Sequence, residues 1–239
     1  MIDSDNIFKK DGFNSEVLGK PAFVLASVEK FRHDRLAALP RNAFVTAKVK
    51  SNDIAGIMKL EQCGFFLVDT NLRFEKKLDG IHGREDHCPE VMAATEAERH
   101  AIVTLAAEAF SCSRFFLDPM IPDSIARASR SKWVDNYFEG LRGDGMLAVR
   151  EKDSVAGFCL LLRQGNDAVI DLIAVAPQFR RRGLAGKLIR SISAFMPGIE
   201  KIIVGTQAAN IPAVRVYEDN GFRLADSSYV FHYHGERSC

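Results

Sequence analysis

The sequence predicts an α/β protein: a mixed sheet with helices on both faces, preceded by a smaller αβ domain. Three observations carry this reading. From residue 91 to 239 the hydrophobic period switches between helix and strand in the order α, α, β, β, β, α, β, α, β. An apolar strand at 168–175 runs into a basic, glycine-containing turn that opens an amphipathic helix. A helix–Gly-Phe–strand unit occurs once in each half of the chain. The 239 residues suffice for one large or two small domains, and an apolar content of 47% supports a sizeable core.

In the front part, residues 22–28 and 43–49 read as strands, with a short helix at 32–39 ended by Pro40. Residues 51–62 read as a helix capped by Ser51 or Asn52, and 65–74 as a strand. This assigns residues 1–80 to a small αβ domain without catalytic function. Residues 78–91 hold two glycines, a proline and mixed charges without apolar period, placing a linker at 81–91. His82, His87 and Cys88 lie there, but their spacing matches no common zinc pattern, so no metal is expected.

The second domain, 92–239, begins with a helix at 95–108, where Thr95-x-x-Glu98 forms a capping box. A loop at 111–122 carries Phe115, Phe116 and two prolines, and a long helix follows at 123–140. Strands at 146–150 and 155–163 flank a Lys152-Asp153 turn, and a second turn at 164–167 leads into strand 168–175. Leu184, Leu188, Ile189, Ile192 and Phe195 mark the buried face of the next helix, which Pro197-Gly198 ends. A strand at 202–206, a helix at 211–220, Gly221 as its cap and a strand at 222–234 complete the chain.

A net charge of +1 excludes bulk nucleic-acid binding. No apolar run nears the roughly 20 residues a bilayer span needs, and the first residues carry no signal-peptide pattern. Five scattered cysteines without a Cys-x-x-Cys pair fit reduced thiols, hence a cytoplasmic setting.

The basic turn carries the chemistry. A helix start exposes unpaired N–H groups and the positive end of the helix dipole. Gly183 and Ala185 add no bulk, so an anion can approach the backbone of Leu184 and Gly186. Arg180, Arg181 and Arg182 supply charge suited to phosphate oxygens. The turn is neither a P-loop nor a Gly-x-Gly-x-x-Gly loop. Its pattern Arg180-x-x-Gly183-x-Ala185, after Ala174-Val175, resembles the acetyl-CoA loop of the GNAT acetyltransferases. Beyond the next strand, Asn210-x-x-Ala213-x-x-x-Tyr217-x-x-x-Gly221-Phe222 resembles that family's second motif.

The resemblance implies a GNAT acyl-CoA N-acyltransferase fold and acetyl-CoA as co-substrate. Strand 169–175 would part from strand 202–206, and pantetheine would pair with the backbone at Ile173, Ala174 and Val175. Asn210 would bond the pantetheine amide. An amine attacks the thioester, and Tyr217 would return a proton to the departing thiolate; Tyr217 as a packing residue is the alternative. Asp171, a charge in an apolar strand, is either a base for the amine or an ion-paired or capping carboxylate.

An offset of 157 residues takes Asp53 to Asn210 and superposes Ile, Glu, Gly, Phe, Leu and Asp at six positions. Leu60 falls where Tyr217 stands, and residues 1–80 contain no Arg-rich turn. The front domain therefore resembles a partial GNAT repeat without acid or phosphate cradle.

The acceptor side resembles one GNAT subgroup, the TDP-fucosamine acetyltransferases, in its Ser113-Arg114-Phe115 followed by Pro122-Asp123 and a helix with Trp133 and Asn136. Those enzymes acetylate a nucleotide-linked amino-deoxysugar and carry a small front domain. Arg114 would meet a phosphate, and Phe115, Phe116 or Trp133 would stack on base or sugar. Trp133 packing a helix onto the sheet is the competing reading. Two further readings remain: acetylation of a protein, peptide or other small amine, and a non-catalytic acetyl-CoA-binding module. The expected partner is a small-molecule amine, with no nucleic acid and no membrane. The edge of the front sheet offers a surface for a homodimer.

Overall fold

A computed structural model describes residues 7–78, 88–110, 112–152 and 154–235. Along the chain come β1 (Phe8–Lys10), α1 (Gly12–Leu18), β2 (Ala22–Leu25), a 3-10 turn (His33–Ala38), β3 (Phe44–Lys50), α2 (Ile54–Gln62), β4 (Phe66–Lys77) and β5 (Val91–Ala93). Then follow α3 (Arg99–Ala109), α4 (Arg114–Leu117), α5 (Asp123–Phe138), β6 (Gly145–Glu151), β7 (Ser154–Gln164), β8 (Asp167–Val175), α6 (Leu184–Arg190), α7 (Ile192–Phe195), β9 (Lys201–Gln207), α8 (Ile211–Asp219) and β10 (Arg223–His234). No described helix is long and apolar enough to cross a membrane.

The chain divides into two compact units. The first holds the described residues up to Asn71, Ser113–Ile125, and the described residues from Ser227 onward. The second holds the described residues of Leu72–Cys112 and Ala126–Asp226. The divisions therefore fall inside β4 and inside β10, and a boundary at 81–91 is replaced by these two. The reason is strand length: β4 and β10 have twelve residues each, long enough for their two ends to serve different cores.

In the first unit β1 pairs antiparallel with β2, β2 parallel with β3, and β3 antiparallel with the end of β10, from Ser228↔Lys50 to His234↔Phe44. Its core is Phe8, Phe31, Val45, Leu60, Phe65 and Phe231, with Phe31 edge-on to Phe65 at 5.7 Å. Asp11 caps α1 by accepting from the Asn14 N–H at 2.9 Å.

In the second unit β5, β6, β7 and β8 pair antiparallel in sequence, and β9 joins β8 in parallel. Leu184, Leu188, Ile189, Ile192 and Tyr217 pack on one face of this sheet, and Ile102, Leu105 and Val134 on the other. The reach-back half of the capping box forms, with the Thr95 N–H donating to Glu98 Oε2 at 2.9 Å. The expected helix from Leu184 to Phe195 is two helices. The Ser191 hydroxyl at the break donates to the Lys187 carbonyl at 3.0 Å, a bond that bends helices.

The repeat seen in the sequence is exact in local geometry. The 157-residue offset takes α2 onto α8, nine residues each, and β4 onto β10. Asp53 and Asn210 cap the two helices with φ −86° in both, accepting from Gly56 and Ala213 N–H. Gly64 and Gly221 turn left-handed at φ 84° and 82°. The Phe65 and Phe222 N–H groups reach back 3.0 Å to the carbonyls of Leu60 and Tyr217. Asp53 thus replaces Ser51 or Asn52 as the cap of α2, because Ser51 shares a hydrogen bond with the Ser227 hydroxyl at 2.5 Å. The short elements β1, α1 and β5 carry too few residues to show a period in the sequence. His82, His87, Ser111 and Asp153 lie outside the described residues.

Candidate active site

The site forms where β8 leaves β9. Their ladder runs from Asp167↔Lys201 to Ile170↔Val204, and among the described residues it ends there, although both strands continue. At the same point β8 carries a bulge: Leu160 faces Leu172 and Leu161 faces Ile170, leaving Asp171 as the extra residue. The bulge resets the alternation of faces. Ala168 and Ile170 pack in the α6 layer, Leu172 and Ala174 in the α3 layer, and Ile173 and Val175 return to the α6 side. Beyond the bulge, the edge of Leu172–Val175 that would face β9 stays out of the β8–β9 ladder.

β8 delivers the chain to the basic turn. Pro177–Phe179 form a 3-10 turn, Arg181 then takes φ 61° and Gly183 φ 73°, and α6 starts at Leu184. A Cβ on Gly183 would meet nothing within 4 Å, so its glycine answers to backbone conformation and open approach, not to packing. Arg181 is a non-glycine residue in the left-handed region, a strained state that clusters at ligand sites. Among the described residues no hydrogen bond engages the N–H groups of residues 181–186. Alternating backbone signs of this kind make an anion-binding concavity.

The three arginines are exposed, and two serve the turn itself. Arg180 Nε donates to the Val175 carbonyl at 3.1 Å, and Arg182 Nη2 to the Gln178 carbonyl at 3.3 Å. Arg182 also lies 5.5 Å over the Phe179 ring. Gly186 faces away from the open side: a Cβ there would stand 2.9 Å from Arg190 Nη1 and 3.2 Å from Asn220 Oδ1. Its smallness lets α6 approach Asn220, while its N–H stays among the unbonded amides of the turn.

Tyr217 is 4% exposed, with Phe74 and Phe222 at 5.9 and 5.7 Å between ring centroids. Burial, with a smaller contribution from Cys159, raises its phenol pKa above the ordinary value of 10.0, so the proton stays on until a stronger base arrives. Asn210 caps α8: its Oδ1 accepts from the Ala213 N–H and its Nδ2 donates to Thr206 Oγ1, both at 3.4 Å. These long bonds commit the amide expected for pantetheine to the helix start.

Asp171 is ion-paired, not a free base. Arg142 Nε and Nη2 donate to its Oδ2 and Oδ1, and Trp133 Nε1 to Oδ2, all at 2.7 Å. A proton could be taken only by giving up these bonds. Trp133 is correspondingly spoken for: the Arg142 guanidinium lies 4.0 Å over its ring. Phe115 is 4% exposed and sits edge-on to Phe44 and His232 at 6.1 and 5.9 Å, so it offers no face for a base or sugar. Arg114 is half-buried in the first unit. Burial lowers its pKa, while the charges of Asp11 and Asp69 act the other way.

The first unit also holds a buried trio that sequence reasoning missed. Asp118 Oδ2 lies 2.6 Å from His232 Nδ1 and 2.8 Å from His234 Nε2, and Asp118 Oδ1 accepts the Met120 N–H at 2.9 Å. The residue types suit a metal, and their donor atoms lie within 4.8 Å of one another. Lys20 decides otherwise. Its Nζ stands 3.2 Å from His234 Nδ1 and has only hydrogens to give, so Nδ1 accepts and Nε2–H donates to Asp118. Both ring nitrogens of His234 and Nδ1 of His232 are engaged in hydrogen bonds that join three distant segments, while the buried His232 Nε2 has no partner among the described residues. His232 and His234, two apart on one strand face, were the available sequence signal. Arg142 left none.

A mixed sheet with parted parallel strands and a basic anion-binding turn between them defines the acetyltransferase class of α/β proteins. The profile of the Acetyltransferase (GNAT) family matches residues 100–222, and the chain belongs to that family. It is 30% identical to the spore coat polysaccharide biosynthesis protein SpsD of Bacillus subtilis over 138 residues, 56% of this chain and 47% of SpsD. It is 29% identical to the ribosomal protein bS18-alanine N-acetyltransferase of Salmonella typhimurium over 103 residues, 41% of this chain and 70% of that protein. The chain thus matches about half the length of SpsD. The GCN5-related N-acetyltransferase of Sphaerobacter thermophilus shares the fold, with a TM-score of 0.57 at 17% identity, covering 86% of this chain and 65% of that one.

Proposed function

We propose that this protein moves the acetyl group of acetyl-CoA to a primary amine, the amino group of a nucleotide-linked amino-deoxysugar. The observation that carries the donor half is the end of the β8–β9 ladder at Ile170↔Val204, directly ahead of the turn whose amides 181–186 carry no bond among the described residues. The residues fit acetyl-CoA: the turn amides and nearby guanidiniums take the diphosphate, and the open edge of Ile173–Val175 takes the pantetheine as an added strand. The amine nitrogen attacks the thioester carbonyl, the C–S bond breaks, and the departing thiolate receives the Tyr217 proton. The amine proton leaves through water, because Asp171 is committed to Arg142 and Trp133. Tyr217 regains its proton from solvent.

The acceptor half rests on the similarity to SpsD, a polysaccharide biosynthesis protein by name, and on the Ser113-Arg114-Phe115 pattern. Phe115 and Trp133 are engaged in packing and ion-pair contacts, so the proposal does not use them for the acceptor. The similarity to an alanine N-acetyltransferase supports the second reading, a protein or peptide acceptor. The same proposal includes a cytoplasmic setting and no nucleic-acid or membrane partner. The test is thiol release from acetyl-CoA with a panel of amino-sugar nucleotides, polyamines and peptides. Turnover with the sugar nucleotides supports the reading. Turnover with peptides alone moves the acceptor to the second reading, and no thiol release with any of them leaves a non-catalytic acetyl-CoA-binding module.

A further inference from the structure

We propose that Arg142, together with Trp133, is a positioning residue for acetyl transfer: it holds the β8 bulge at Asp171 and so sets the backbone of Leu172–Val175 against which the thioester lies. This rests on the function proposed above. The bulge needs an anchor. One strand residue without an opposite number is a local loss of ladder hydrogen bonds, and β9 runs on beyond Val204 as a parallel partner that a regular β8 could pair with. Asp171 supplies the anchor point. Its side chain is 10% exposed and leaves the sheet toward α5, where it receives three bonds of 2.7 Å. A carboxylate this buried is costly unless paired, so the strand is tied to wherever its partners are.

Those partners are themselves fixed. Trp133 is on α5, whose next turn carries Asn136. The Asn136 carbonyl accepts the Leu141 and Arg142 N–H groups at 2.8 and 3.1 Å. The guanidinium then lies over the Trp133 ring and turns its Nε and Nη2 edge to the Asp171 carboxylate. The clamp runs from the end of α5 to the single residue where β8 changes register and leaves β9. A lysine at 142 could not reproduce the two-pronged contact.

The experiment compares wild type, Arg142→Gln and Asp171→Asn by amide hydrogen exchange of residues 170–175 in the unliganded protein, and by kcat, KM for acetyl-CoA and the pH-rate profile. Arg142→Gln should speed exchange in 170–175 and lower kcat/KM by about a hundredfold, mostly in kcat. Asp171→Asn keeps an oxygen for Trp133 and Arg142 Nε but sets an amide N–H against Arg142 Nη2, so it too should speed exchange and lower kcat/KM while keeping the shape of the pH profile. Loss of the profile's acidic limb in Asp171→Asn would make Asp171 the base and overturn the proposal. So would an Arg142→Gln variant with unchanged exchange, or one with altered exchange and unchanged kinetics. Should wild type release no thiol from acetyl-CoA, the functional reading fails, while the exchange comparison still decides whether the clamp holds the bulge.

Discussion

Tyr217 and Leu60 occupy equivalent positions of the repeat, both buried, and of the two Tyr217 alone has a proton to give. Replacing Tyr217 with Phe removes that hydroxyl and little volume, so turnover should fall about a hundredfold or more while acetyl-CoA affinity holds. Calorimetric binding with a thiol-release assay checks both, and unchanged turnover would remove its acid role. At the turn, Gly183→Glu sets a carboxylate beside the bare amides and should abolish acetyl-CoA binding in the same titration. The buried trio gives a stability prediction. Burial lowers the His232 pKa from 6.5 to about 4, despite the opposing bond to Asp118. As pH falls from about 6.5 to 4 the unfolded chain takes this proton first, so stability drops across that window, by about 3 kcal/mol in all. The depressed Asp118 carboxyl acts in the same direction at lower pH. Denaturant unfolding at pH 7.0, 5.5 and 4.5 measures the slope, and His232→Gln should flatten it.

Elements were legible in the sequence where their signal is local. The turn at Arg180–Gly183, the cap at Thr95 and the Gly-Phe connections read directly, because a few neighbouring residues decide them. The partner of the second half of β10 was not legible: its alternation marks a strand, but only the register Tyr229↔Val49 to His234↔Phe44 says that β3 receives it. The clamp at Arg142 and the trio at Asp118 depend on residues 29 and 114 or more positions apart, a distance at which spacing carries no information. The same separation explains why Phe115 and Trp133 looked available to a ligand. At this scale the left-handed connections are a test of the repeat: Gly64→Ala and Gly221→Ala should each cost about 1 kcal/mol. Thermal melts of the two variants check it, and a cost confined to one of them would break the equivalence.

For the molecule as a whole, the exchange of strand ends between the two units makes the front half more than an appendage. β4 gives the second unit Phe74, packed against Tyr217, and the Leu78 N–H that bonds the Glu200 carbonyl at 2.8 Å. A fragment spanning 92–239 lacks both. Losing a buried Phe alone costs about 3–5 kcal/mol, comparable with the stability of a domain, so the fragment should be unfolded or insoluble by circular dichroism and sedimentation. The function proposed above puts acetyl-CoA wholly on the second unit, its diphosphate on the amides of 181–186 and its pantetheine along Ile173–Val175. Amide spectra of the labelled protein titrated with coenzyme A test it most directly. Saturating shifts led by Arg181–Gly186 and Ile173–Val175 are expected. Saturation with those amides unmoved, or with the leading shifts in residues 7–71, would contradict it.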